Sequence, residues 1–212
     1  MTVKRYQIAN YKFFTPPKMK KIVLIPMVLL CLVLAANAQN LTINTASNCK
    51  LAKIMTSPES TIQKDFRKIK KIKSLLFEAV MVTNLNTTFT ESGLRISGNT
   101  GRNFAPTMSA YIDEDELDDF LNAIDHMLSK TITIQAPQNT VEYKYQSRGG
   151  FCIKAFNAKR LLSSSKRWYV SLKLMEDVAQ SDFLFDTDDL YDIKNAAEQA
   201  KATLTRRVLT AK

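Results

Sequence analysis

From about residue 61 onward the chain alternates between two rhythms. In some segments apolar and polar residues trade places with a period of two: Val141, Tyr143 and Tyr145 alternate with Glu142, Lys144 and Gln146. That spacing puts successive side chains on opposite faces of a strand. Phe151–Phe156, Trp168–Leu174 and the short Asp182–Phe185 follow in the same rhythm. Matching runs occur earlier at Phe66–Lys73, Leu75–Thr83, Gly93–Ser97 and Met108–Ile112, although Phe66, Ile69 and Ile72 also suit a helix. In two other segments the apolar residues recur with the period of an α-helix. Leu117, Phe120, Leu121, Ile124 and Leu128 make one stripe, and Leu190, Ile193, Ala197, Ala200, Leu204 and Val208 make the other. Each pattern predicts a helix with one face on a sheet.

The order of rhythms occurs twice because the chain repeats itself. Ile112-Asp-Glu-Asp-Glu-Leu is echoed by Phe185-Asp-Thr-Asp-Asp-Leu, and Asp113/Asp186, Asp115/Asp188, Leu117/Leu190, Asp119/Asp192, Asn122/Asn195 and Ala123/Ala196 are identical at an offset of 73. Continued upstream without a gap, that offset sets Phe77–Asn84 on Gly150–Asn157. Self-similarity of this kind marks a duplicated supersecondary unit. The expected fold class is α+β: two ββββα units, residues 61–134 and 135–212, whose antiparallel sheets are each packed by one helix.

Upstream of the repeat the pattern changes. Lys18, Lys20 and Lys21 precede an apolar run, Ile22–Leu34, which ends in Ala36-Asn37-Ala38 before Gln39. That is the order of a cleavable secretory leader, with cleavage expected after Ala38 and a start at Met19. The run is shorter than the 20 or so apolar residues of a membrane span and contains Pro26. Cys31 follows Leu30, a large residue where a lipid-attachment signal needs a small one. Residues 1–38 are therefore read as extension and signal peptide, and the Thr-, Ser- and Asn-rich stretch 39–60 as a flexible arm. Export to the periplasm or beyond is the expected localisation.

Export changes the charge argument. The full chain has 30 Lys and Arg against 20 Asp and Glu, a net charge of +10, but six of the basic residues and none of the acidic ones precede Ala38. The mature chain retains 24 against 20, so about +4 remains, and the case for a nucleic-acid partner weakens accordingly. Of the three cysteines, Cys49 and Cys152 survive cleavage. Two cysteines exclude a disulfide-dense scaffold and a four-cysteine zinc site. In an oxidising compartment they are a possible disulfide; the alternative is two buried or unpaired thiols.

The remaining motifs point to structure before chemistry. The clusters at 113–116 and 186–189 lack the glycine and distal glutamate of a calcium loop and stand where helices begin. Asp113 and Asp186 suit N-caps there, with Glu116 completing a capping box. His126, the single histidine, is nine positions after Leu117 and so about 180° from the apolar stripe, facing water. No nucleophile motif, H-E-x-x-H or phosphate-cradling loop accompanies it, so no catalytic residue, metal or cofactor is assigned. Ser147-Arg148-Gly149-Gly150 reads as a hairpin turn. If Tyr143 and Tyr145 face the helix, then Lys144 points outward, and alternation sets Lys154, Phe156, Tyr169 and Lys173 beside it. Cations beside aromatics suit a binding face; the alternative is a merely solvated sheet.

Residues from about 71 to 205 carry Gly93-Leu-Arg-Ile, Tyr111-Ile-Asp-Glu-Asp-Glu-Leu, Ser147-Arg-Gly-Gly-Phe, Trp168 and Phe185-Asp-Thr-Asp-Asp-Leu. In these the chain resembles a group of small exported proteins of Bacteroidota, to whose leaders the Ala38-Gln39 junction is also similar. The resemblance implies export and supplies no catalytic residues. In topology alone, two ββββα units are similar to PUR-alpha and Whirly proteins, which bind single-stranded nucleic acid on their sheets; no specific motif of either is present, and fold alone does not confer function. The expected function is that of an exported, non-enzymatic protein that binds a protein or envelope polymer. Polyanion or single-stranded nucleic-acid binding on the sheet face is the alternative, and an envelope hydrolase the third reading.

Overall fold

The alternating segments pair as two antiparallel sheets. The computed structural model describes residues 48–99, 107–132, 136–159, 165–175, 178 and 181–210; the leader-like residues 1–38 and the first part of the arm, 39–47, lie outside them. A short helix, α1 (Lys50–Met55), precedes β1 (Ile62–Ile72), β2 (Leu75–Asn84), β3 (Thr90–Gly98) and β4 (Met108–Asp113). After a 3-10 turn at Glu114–Glu116 comes α2 (Leu117–Thr131), and then β5 (Glu142–Gln146), β6 (Cys152–Lys159), β7 (Lys166–Lys173), β8 (Asp182–Phe185) and α3 (Asp189–Thr210). Each sheet holds its four strands in chain order, β1-β2-β3-β4 and β5-β6-β7-β8. The protein is an α+β fold of two ββββα units.

One core serves both units. Phe77, Leu94 and Ile112 from the first sheet, Ile153, Val170 and Phe185 from the second, and the stripes of α2 and α3 are buried together. The helices exchange partners. α3 packs on β1, β2 and β3 of the first sheet, whereas α2 packs along β5 of the second and against α3. Phe120 of α2 shows the crossing most clearly: its ring centroid is 5.4 Å from that of Tyr145 in β5 and 5.6 Å from that of Phe151 beside β6. The α2 stripe includes Met127, which the periodicity reading omitted, while Leu121 is only half-buried. The side chain of Val208 lies outside those described.

Strand registers correct the upstream half of the repeat. Leu94 pairs with Ala79 and Ile112, and Val170 pairs with Ala155 and Phe185. Ile112 and Phe185 thus correspond at an offset of 73, but Ala79 corresponds to Ala155 and Leu94 to Val170 at 76. The three-residue difference falls in one connection: Ile96 to Ala110 is 14 positions, and the matching Leu172 to Phe183 is 11. A constant 73 would set the inward Ala79 on Cys152, which points outward. Parity is obscured in β2 because Val80 and Val82 on its outer face are as buried as Phe77 and Ala79 on its inner one.

Two other expectations change in detail. The helix-like spacing of Phe66, Ile69 and Ile72 is a β-bulge between Lys68 and Lys70, which adds a residue and switches the face that β1 presents. Phe66 therefore points outward beneath the Arg95 guanidinium, 4.9 Å from the ring centroid, while Ile72 is in the core. The flexible arm is also corrected for its described part. Leu51 and Ile54, three apart on α1, are buried against Val80 and Val82 on the outer face of the first sheet. Gly93 allows this seating, because a Cβ there would lie 2.8 Å from Leu51 Cδ1 and 2.2 Å from the Ile112 carbonyl oxygen. Among the described residues no helix is long and apolar enough to cross a membrane.

The shared core makes a direct prediction. Phe120→Ala should cost about 3–5 kcal/mol, and chemical unfolding followed by Trp168 fluorescence and by far-ultraviolet circular dichroism should still give one coincident transition. Two separated transitions would mean that the halves are energetically independent.

Candidate functional site

Two regions concentrate polar chemistry, and the first is structural. Asp113 ends β4 on the outer face and its side chain is 1 % exposed. One carboxylate oxygen accepts the Leu51 N–H at 3.0 Å and the Cys49 thiol at 3.2 Å; the other accepts the Lys50 N–H at 2.8 Å and Arg148 Nη2 at 3.1 Å. It closes a capping box on the 3-10 turn, in which Glu116 receives the Asp113 N–H at 3.3 Å. The sequence-based reading of Asp113 and Glu116 as a cap therefore holds. The same aspartate also caps α1, which comes more than sixty residues earlier in the chain.

Arg148 enters this cluster from the β5–β6 turn, bonding to Asp115 as well and donating its own N–H to Glu116 at 2.8 Å. Gly149 beside it lies so close to β4 that a Cβ would be 2.5 Å from the Tyr111 carbonyl oxygen. At the equivalent place in the other unit, Lys73 from the β1–β2 turn reaches Asp189 at 2.5 Å and Asp186 at 3.7 Å. There the cap is arranged differently. Asp189 accepts the Asp186 N–H at 2.8 Å, and the exposed Asp186 carboxylate turns to Arg167 at 2.7 Å. Both acidic clusters thus hold cations of the protein itself. No group of three or more metal-ligating side chains comes together among the described residues.

Cys49 and Cys152 are both buried and not joined, so the disulfide left open by the sequence is not made in this structure. Cys49 lies over the outer face of the first sheet, and Cys152 is in β6 on the outer face of the second. Burial first, then the neighbouring Asp113 carboxylate, push the Cys49 thiol from its ordinary 9.0 up to about 12. His126 is exposed on α2, as expected, with its ring 5.4 Å from that of Tyr143.

The second region is the outer face of the second sheet, where the five residues singled out from the sequence do meet. Lys144 lies directly opposite Lys154, Lys154 opposite Ser171, Phe156 opposite Tyr169, and Lys173 opposite Cys152 and Asp182. The rings of Phe156 and Tyr169 stack with centroids 6.0 Å apart, and the Arg167 guanidinium is 5.6 Å from the Tyr169 centroid. Lys154 faces Glu142 at 3.4 Å, and Ser171 hydrogen-bonds to Asp182. A depression of about 440 Å³ is bounded by Glu142, Lys154, Phe156, Ser171, Asp182 and Leu184.

Arg167 and Leu184 are members that the sequence reading missed. Leu184 had a signal: Phe183 and Phe185 must point inward, which leaves a leucine outward, and it is 64 % exposed. The registers equate Phe156, Tyr169 and Leu184 with Val80, Gly93 and Tyr111 of the first sheet, the floor on which α1 sits. Among the described residues α1 is the only helix on an outer face. No described helix lies on the corresponding positions of the second sheet, where Leu184 is exposed and Phe156 and Tyr169 are half-buried.

Compared with known protein families and with curated proteins, the chain finds no match. The assignment of a role therefore rests on the geometry.

The buried carboxylate yields two predictions. Asp113→Ala strands the α1 N–H groups and Arg148, and should cost about 3 kcal/mol in denaturant unfolding and expose α1 to proteolysis, whereas Asp186→Ala, an exposed pair, should cost less than about 1 kcal/mol. Equal losses would mean that Asp113 does not hold α1. For Cys49 the folded value lies above the unfolded one, so its contribution to stability is complete below pH 9.0 and is lost as pH rises toward about 12. At pH 8 iodoacetamide should leave Cys49 unlabelled in the native protein and alkylate it in denaturant; rapid native labelling would contradict its burial.

Proposed function

We propose that this is an exported, non-enzymatic binding protein that engages a protein or envelope polymer through the outer face of its second sheet. The observation that carries the reading is the cluster of the exposed Leu184 with the half-buried, stacked rings of Phe156 and Tyr169, over which no described helix lies, whereas the counterpart on the first sheet is covered by α1. Exposed apolar clusters rimmed by charge are the usual mark of a contact surface. Export is supported by the leader-like order of residues 18–39 and by the resemblance to small exported proteins of Bacteroidota.

The charges on the face favour a protein over a simple polyanion. Lys144, Lys154, Arg167 and Lys173 are interleaved with Glu142 and Asp182, and Lys154 already faces a carboxylate. A surface built for phosphates or sulfates alone gains nothing from acids in its midst. Polyanion binding is the alternative reading, supported by the Arg167–Tyr169–Phe156 stack.

A photo-reactive phenylalanine placed at position 184 of the exported protein should give a cross-linked adduct in host cells. The same residue at position 191, exposed on α3, should give none. Equal yields, or no adduct from position 184, would remove this face as the binding surface. For the alternative, heparin or single-stranded DNA should bind at low salt and lose affinity with Lys154→Glu plus Lys173→Glu; no binding at low salt excludes it.

A further inference from the structure

Internal duplication supplies a template for what lies on the open face. On the first sheet the occupant is known: a single amphipathic turn-and-a-half of helix, with Leu51 and Ile54 pressed on Val80, Val82 and the Gly93 gap. Its rim is electrostatically matched. α1 carries Lys50 and Lys53, Glu91 lies beside them on β3, and Asp115 holds Lys50 at 3.0 Å, while Glu78 is paired with Arg95 at 3.0 Å.

The same positions on the second sheet keep the floor and reverse the rim charge at two places, while Glu142 and Asp182 stand where the first sheet has Phe66 and Ser109, and Ser171 where it has Arg95. Phe156 and Leu184 take the places of Val80 and Tyr111, while Lys154 stands where the first sheet has Glu78 and Arg167 where it has Glu91. Lys173 replaces Ser97 as a further cation. Where α1 has Glu91 beneath it, a helix as basic as α1 would here meet Arg167, with Lys154 and Lys173 beside it, so α1 or its copy in a second molecule suits the face less than an acidic segment does. At the end of β8, Asp186 occupies the place from which Asp113 caps α1, and it is solvent-exposed.

We propose that the outer face of the second sheet receives an acidic amphipathic helix of a partner protein, docked as α1 docks on the first sheet. This rests on the reading of that face as the binding surface. The partner segment presents two aliphatic side chains three or four residues apart to Phe156, Tyr169 and Leu184, and carboxylates to Lys173 and to Lys154 and Arg167, which it shares with Glu142 and Asp186. Because a helix this short is marginal alone, it arrives as part of a folded domain or folds on contact.

The test uses the isotopically labelled mature protein and two alanine-based helical peptides. Both carry Leu and Ile three residues apart; one is flanked by Glu and the other by Lys. The Glu peptide should shift the amide resonances of β6, β7 and β8 around Phe156, Tyr169 and Leu184, with an affinity at least about tenfold above that of the Lys peptide at low salt. Lys154→Glu with Arg167→Glu should reverse the preference, and Leu184→Asp should abolish both responses while leaving the remaining spectrum unchanged. Equal binding of the two peptides, or shifts only from heparin, overturns the acidic-helix inference and leaves the face as a binding surface of another kind. Failure of peptides and heparin alike, together with no cross-link from position 184, overturns the surface itself.

Discussion

A desolvated carboxylate fixes the arrangement of this molecule. Asp113 has given up its water, and a buried charge is tolerated only when donors surround it. The donors come from three distant places: the start of α1, the 3-10 turn that follows β4, and the β5–β6 turn of the other unit. Satisfying one side chain thus sets the N-terminal helix on its sheet and joins the two units at one end. Lys73 makes the reciprocal contact at the start of α3, but there Asp186 is exposed and Asp189 only half-buried. Coulombic attraction in water is weak, so the symmetric pair of contacts is unequal in strength.

Much of this architecture was legible in the residues. Strand order, both long helices, the duplication and the outward set of Lys144, Lys154, Phe156, Tyr169 and Lys173 follow from alternation, since a period of two leaves few choices once Tyr143 and Tyr145 are inward. Legibility failed where a single segment served two masters. β2 is buried on both faces, which erased the parity needed to place the insertion between β3 and β4. Bulged β1 imitated a helix. Around Cys49 the polar composition masked Leu51 and Ile54, and the seating of Leu51 depends on Gly93, a residue more than forty positions downstream. Arg148 is a turn residue to any local reading; only the tertiary approach of β4 to Gly149 gives its guanidinium an address.

The two outer faces show what divergence has done to a common plan. In the first unit the floor became small, with valines and a glycine, and a helix of the same chain settled on it. In the second it became broad, with stacked rings and a leucine, and stayed open. Lys154 and Arg167 in the places of Glu78 and Glu91 disfavour the chain's own basic helix there, a form of specificity by repulsion as well as attraction. His126 and Cys49 stand apart from this face, and Cys152, which lies on it opposite Lys173, is wholly buried, so the binding reading does not depend on any reactive group.

The exchange of helices between units has a further consequence. A sheet of either unit is completed by a helix that the other unit encodes, so half the chain cannot close its own core. A lone ββββα unit would bury its apolar stripe only by trading helices with a second copy of itself. The chain is in this sense a dimer with its subunits joined end to end, and the join leaves each outer face free to diverge on its own.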